Sequence, residues 1–119
     1  MTVGRSADGW IAVRRDDGET VGYLEALTED WSSVQPRNRL GHPVGAPTEY
    51  IAAEDLLIER GIAELAEPWR LDGGDTALSI AQLSPGGIVL RNALFAKALI
   101  PTDDIVVPWP DVDGRLERA

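Results

Sequence analysis

Thr48–Gly61, TEYIAAEDLLIERG, is the stretch on which the fold turns. Thr48 is a good helix N-cap, and Pro47 before it lies outside the hydrogen-bonded turns. Glu49, Glu54 and Asp55 sit towards the start and Arg60 at the end, the polarity that the helix dipole favours. Gly61 then offers a terminating residue that tolerates positive φ. Tyr50, Ala53 and Leu57 fall on one face at i, i+3 and i+7, Ile51 and Ile58 flank it, and Leu56 widens it on the other side. The spacing predicts a helix over about residues 49–60, packed on two sides. Glu54 lies within the apolar arc. It reads either as a carboxylate at the rim of the packed face, or as a partly buried acid paired with an Arg of the preceding segment, which would mark a site.

Upstream runs Trp31–Thr48, WSSVQPRNRLGHPVGAPT, eighteen residues without an acid in a chain that holds twenty. Pro36 and Pro43 push Gln35 and His42 towards extended backbone, and Gly41 and Gly45 permit tight turns. Trp31, Val34, Leu40 and Val44 supply apolar anchors, so the expectation is an ordered loop lying across one side of the fold. Before it, Trp10–Arg15 and Thr20–Leu27 flank Asp17-Gly18, a strong hairpin signal. With Asp17-Gly18 as a two-residue turn, Arg14 faces Val21, Val13 faces Gly22, Ala12 faces Tyr23 and Ile11 faces Leu24. Alternation then places Ile11, Val13, Gly22, Leu24 and Ala26 on a core face. Trp10, Ala12, Arg14, Val21, Tyr23 and Glu25 form a second face, which reads as a further packed layer or as a binding face anchored by its aromatic rings.

Downstream of the helix, residues 62–67 read as either a helical turn or a strand entry, and Pro68 interrupts any helix. Trp69–Asp72 and Asp75–Leu83 flank Gly73-Gly74 as a second hairpin. Ser84-Pro85-Gly86-Gly87 is a third turn, which sets Leu83 opposite Ile88, Ala81 opposite Leu90 and Ser79 opposite Asn92. Residues 95–100 either continue that strand or bend into a neighbouring one, and their alanines leave a helical turn open. Ile105–Val107 is a short strand, ended by Pro108-Trp109-Pro110 as an edge segment. Residues 1–8 and 111–119 read as loose tails. The predicted class is α+β: a small antiparallel sheet or half-open barrel of five or six strands with one main helix packed on it, in a single domain spanning 1–119.

Composition bounds function further. No cysteine is present, so disulfides and thiolate sites are excluded. A single histidine excludes multi-His metal centres. Asp103-Asp104 and Asp111-Val112-Asp113-Gly114 read as surface turns rather than cation loops, and no metal or cofactor is expected. Neither phosphate-binding glycine motif nor a nucleophile elbow occurs. The net charge of −9 argues against nucleic acid and anionic membrane as partners. The opening MTVGRSADGW lacks the apolar core of a secretory signal, and no run is long enough to span a bilayer, so a cytoplasmic location is expected. Ten Arg against one Lys suggests a GC-rich bacterial origin.

Arg37, Asn38, Arg39 and His42 place two guanidinium forks, an amide and an imidazole within six residues. They are the candidate ligand-binding group for a small anion, with His42 as a general acid or base. The same arginines could instead neutralise the adjacent acidic segment 49–72, which carries a local charge of −5. The charge count favours that structural role. Trp10, Tyr23 and Trp109 are the interface candidates. The leading expectation is a non-enzymatic module that binds a protein partner or assembles as a homo-oligomer. The alternative is a small-anion binder or enzyme built on the Arg37/Arg39/His42 loop.

Overall fold

A computed structural model describes residues 9–92 and 104–119. The fold is α+β, as expected; among the described residues eight strands divide between two antiparallel sheets that do not close into a barrel. Two compact units are distinguished, residues 1–63 and 64–119.

The first unit holds a three-stranded sheet of β1 (Ile11–Arg14), β2 (Thr20–Ala26) and β3 (Val34–Arg37), in that order, with helix α1 (Tyr50–Arg60) against it. Ile11, Ala12 and Val13 pair with Leu24, Tyr23 and Gly22 as the sequence predicts. Arg14 does not face Val21. It pairs with Thr20, and the register shifts between Val13 and Arg14. The cause lies in the turn. Arg15 N–H donates to Glu19 O and Gly18 N–H to Arg15 O, closing a three-residue loop in which Gly18 holds φ at +86°. That loop is one residue longer than the expected turn, and a bulge at Val21 restores the register. The bulge also turns Val21 into the core, where it is fully buried beside Gly22.

The core of this unit is Val13, Val21, Leu24, Val34, Ala53 and Leu57, with Trp31, Val44, Tyr50 and Ile62 packed against it. Gly22 lies where β2 is crowded by both the β3 backbone and the helix side chain Leu57. A Cβ built there would lie 2.3 Å from Arg37 O and 2.9 Å from Leu57 Cδ2. Only glycine fits this crossing.

Trp31–Thr48, expected as a loop, is a second, irregular hairpin. Its outgoing arm is β3, paired with β2 through Tyr23–Arg37, Leu24–Pro36, Glu25–Gln35 and Ala26–Val34. Pro36 sits in this strand without cost to the β2 ladder, because its backbone edge faces the returning arm: Val44 N–H donates to Pro36 O. The returning arm is further held by bridges between Val34 and Thr48 and between Arg37 and Pro43. Its turn repeats the first hairpin's geometry. Asn38 N–H donates to His42 O, Gly41 N–H to Asn38 O, and Gly41 has φ +93°.

Thr48 is consequently not the helix cap. Its N–H and C=O are both exchanged with Val34, so the cap position falls to Glu49, whose side chain makes no capping bond. The helix ends at Gly61 as expected, with Gly61 N–H on Leu57 O. It packs through Ala53 and Leu57, while Ile51 and Ile58 are exposed rather than buried on a second side.

Residues 62–67 resolve as a 3-10 turn, Ala63–Ala66. The second unit is a five-stranded sheet of β4 (Trp69–Leu71), β5 (Leu78–Ser84), β6 (Gly87–Asn92), β7 (Ile105–Val107) and β8 (Leu116–Arg118), in the order β7-β6-β5-β4-β8. Leu83 faces Ile88 as predicted, but Leu90 faces Ile80 rather than Ala81, and Asn92 faces Leu78 rather than Ser79. A register shift between Ile80 and Gln82 leaves Ala81 unpaired and moves the outer pairs by one. The expectation for residues 95–100 lies outside the described residues.

Residues 111–119, expected as a loose tail, are ordered by Asp111. Its Oδ1 accepts from Arg115 N–H and its Oδ2 from Leu116 N–H, both at 3.0 Å. The carboxylate that resembled a calcium-loop fragment therefore caps a turn, and the chain leaves it as β8 to pair with β4. Leu116 and Asp111 are buried. Among the described residues, no helix is long and apolar enough to cross a membrane.

Candidate functional site

The register of β3 against β2 decides what the arginine-rich hairpin can do. Arg37 sits opposite Tyr23, and Gln35 opposite Glu25. Arg37 and Glu25 are thus diagonal neighbours on the same sheet face, the one turned away from α1. Arg37 Nε and Nη2 donate to Glu25 Oε1 at 3.1 and 2.9 Å, and Nη1 donates to Gly41 O at 2.7 Å. Both side chains are largely shielded, with 14% and 21% of their surface exposed. Arg39 reaches the first hairpin, where Nη1 donates to Glu19 Oε1 and Thr20 O, each at 3.0 Å. The expectation that these arginines neutralise the acidic helix segment is corrected: their partners are Glu25 and Glu19, at the sheet.

Asn38 is buried and works inward. Its Oδ1 accepts from Leu40 N–H at 2.9 Å and His42 N–H at 3.0 Å, fixing the turn. His42 is half-buried, and its backbone completes the hairpin through both N–H and C=O. The four predicted ligand residues are therefore gathered in one turn, whose polar groups mostly hold the turn itself and tie it to β2.

The same face carries the two aromatic candidates from the first hairpin. Trp10 and Tyr23 lie with ring centroids 6.1 Å apart, tilted at 46°. The Arg37 guanidinium carbon stands 4.8 Å from the centre of the Trp10 ring, a cation–π contact in a guanidinium already paired to Glu25. Gln35, on the same face, donates from Nε2 to Pro36 O at 2.9 Å. Ala12 and Arg14 lie exposed along β1. Within the first unit, then, α1 packs on one face of the sheet, and the other carries two half-buried rings, a largely shielded guanidinium and a polar border. Reading from the sequence found Trp10, Tyr23 and Glu25 on this face but missed Gln35 and Arg37. Alternation of Val34 and Pro36 against Gln35 and Arg37 is the signal for them, obscured by the proline.

Trp109, the third interface candidate, follows β7 in the second unit and is half-buried. In that unit Arg91 pairs with Asp104, and Arg115 pairs with Asp72 through two bonds. Hydrogen bonds from Arg115 hold the Asp72 carboxyl below its ordinary value, and those from Arg91 do the same to Asp104. Asp30 is lowered by donors from Ser32 and Thr28 in the β2–β3 loop. These are ion pairs and turn caps at the surface.

A shallow depression of ≈ 360 Å³ is lined by Arg15, Asp16, Asp17 and Ile58. Among the described residues, no three His, Asp or Glu side chains come together as a metal-binding group. No family model, curated protein or solved structure matches the chain.

Proposed function

We propose that this protein is a non-enzymatic interaction or assembly module of the bacterial cytoplasm, which presents the Trp10–Tyr23–Arg37 face to a protein partner or to a second copy of itself. The observation that carries this reading is the packing of the Arg37 guanidinium over Trp10, beside Tyr23, on the sheet face opposite α1. Tryptophan, tyrosine and arginine are the residues most enriched where binding energy concentrates. Here Arg37 is held in place by its Glu25 pair, so little of its side-chain freedom remains to be lost on association. Nucleic acid has no part in the proposal, because the chain carries a net charge of −9.

The alternative, capture of a small anion by Arg37, Arg39 and His42, has less support. Each guanidinium is already engaged by a carboxylate and a backbone carbonyl. An anion would have to displace Glu25 or Glu19. A thermal-shift screen with phosphate, sulfate and small carboxylates tests it: a rise in Tm lost in Arg39→Ala would favour the alternative. For the proposed module, a photo-crosslinking residue at position 12, exposed on edge strand β1 opposite Tyr23, should yield one discrete protein adduct.

A further inference from the structure

We infer that the outer face of α1 docks a basic, amphipathic segment of a partner protein. Ile51 and Ile58 are 66% and 44% exposed, although they belong to a helix that buries Ala53 and Leu57 against the sheet. They are seven residues apart, two turns along one face, with Cα atoms roughly 10 Å apart. Glu54 and Asp55 lie between them at helical spacing i+3 and i+4, one on each side of the isoleucine pair, and Glu59 extends the row beyond Asp55. The result is an apolar stripe bordered by carboxylates.

Those carboxylates are unmet. Among the described residues, Glu49, Glu54, Asp55 and Glu59 form no ion pair. The arginines that the sequence offers for them are committed elsewhere: Arg37 to Glu25, Arg39 to Glu19, Arg15 to Asp17. The depression lined by Ile58, Asp16, Asp17 and Arg15 opens at the end of the stripe and adds further acid to its rim.

This chemistry selects the occupant. An uncharged apolar partner would desolvate several carboxylates without compensating them. A second copy brings a net charge of −9 to an acidic face. A segment with apolar residues at helical spacing and Lys or Arg on either side satisfies both the isoleucines and the acids. The surface is distinct from the Trp10–Tyr23 face, which lies on the other side of the same sheet.

The test is titration of the ¹⁵N-labelled full chain with a synthetic Leu/Lys amphipathic peptide of about four helical turns, against a scrambled peptide of identical composition. The expected result is amide shifts confined to 51–60 and 16–17, and at least tenfold weaker binding by the scrambled peptide. Affinity should fall with salt, and binding should be lost in Ile51→Ser/Ile58→Ser, whose exposed positions spare the fold. Absence of binding, equal affinity for the scrambled peptide, or unchanged affinity in the double variant would overturn the inference. So would shifts centred on Trp10 and Tyr23, or a dimer that the double variant makes monomeric. Crosslinking from position 12 in the double variant separates this inference from the proposed function, since it reads the opposite face.

Discussion

The guanidinium of Arg37 is held between the carboxylate of Glu25, at 2.9 Å, and the ring of Trp10, at 4.8 Å. One side chain thereby joins β3 to β2 and fixes the orientation of an aromatic ring ahead of the β1 strand. Breaking a shielded, hydrogen-bonded pair leaves the other charge uncompensated. Arg37→Ala should therefore destabilise the fold by about 2 kcal/mol, and Arg37→Lys, which lacks the planar fork, by nearly as much. Urea unfolding measures both, and a double-mutant cycle with Glu25→Gln should return a coupling of about 1 kcal/mol or more.

Asn38 anchors the turn next to this pair by accepting from Leu40 and His42 N–H. Asn38→Ala leaves two backbone donors without their acceptor in a buried position and should cost about 2–3 kcal/mol. Asn38→Asp keeps the acceptor oxygen and should cost less. The ordering of the two variants in thermal unfolding is the check.

Gly22→Ala should cost about 2–3 kcal/mol or more, because the new methyl meets backbone as well as side chain. The contact with Leu57 can relax, but that with Arg37 O, at 2.3 Å, cannot without opening the β2–β3 ladder. Truncating Leu57→Ala in the same chain should therefore fail to rescue it. A stability recovered to that of Leu57→Ala alone would show that the crossing is looser than described.

Asp72 and Asp104 have carboxyls lowered by their arginine partners. A carboxyl whose folded pKa is depressed adds stability that is present above its ordinary value of 3.8 and lost as pH falls through the lower folded value. Asp72→Asn should accordingly lower Tm at neutral pH, and the gap to the wild type should close on acidification below the ordinary carboxyl range. Added salt should also narrow it, because the pair is exposed. Melting curves across pH for the two proteins give the comparison.

Local chemistry made much of this fold legible. Asp17-Gly18 and Ser84-Pro85-Gly86-Gly87 mark their turns, and the period of Tyr50, Ala53 and Leu57 marks the helix. What stayed hidden depended on single residues. Val21 and Ala81 fall at irregular positions, where one residue changes the register and no propensity announces it. Pro36 disguised β3, because a proline argues against a strand unless its bonding edge faces away from the ladder, a fact that only the paired structure supplies. Asp111 looked like part of a solvated tail, yet its two oxygens accept the backbone donors that order it. The partners of Arg37 and Arg39 were misjudged for the same reason as β3. Proximity along the chain pointed to the helix, whereas strand register delivered Glu25 and Glu19.

Photo-crosslinking from position 12 tests the proposed interaction face most directly, with position 76, in the exposed β4–β5 turn, as the control. Irradiation in lysate of the native host should give a discrete adduct from position 12, with a partner or a second copy, absent from position 76 and lost in Trp10→Ser/Tyr23→Ser. No adduct beyond that of the control, or one unaffected by removing both rings, would contradict the proposal.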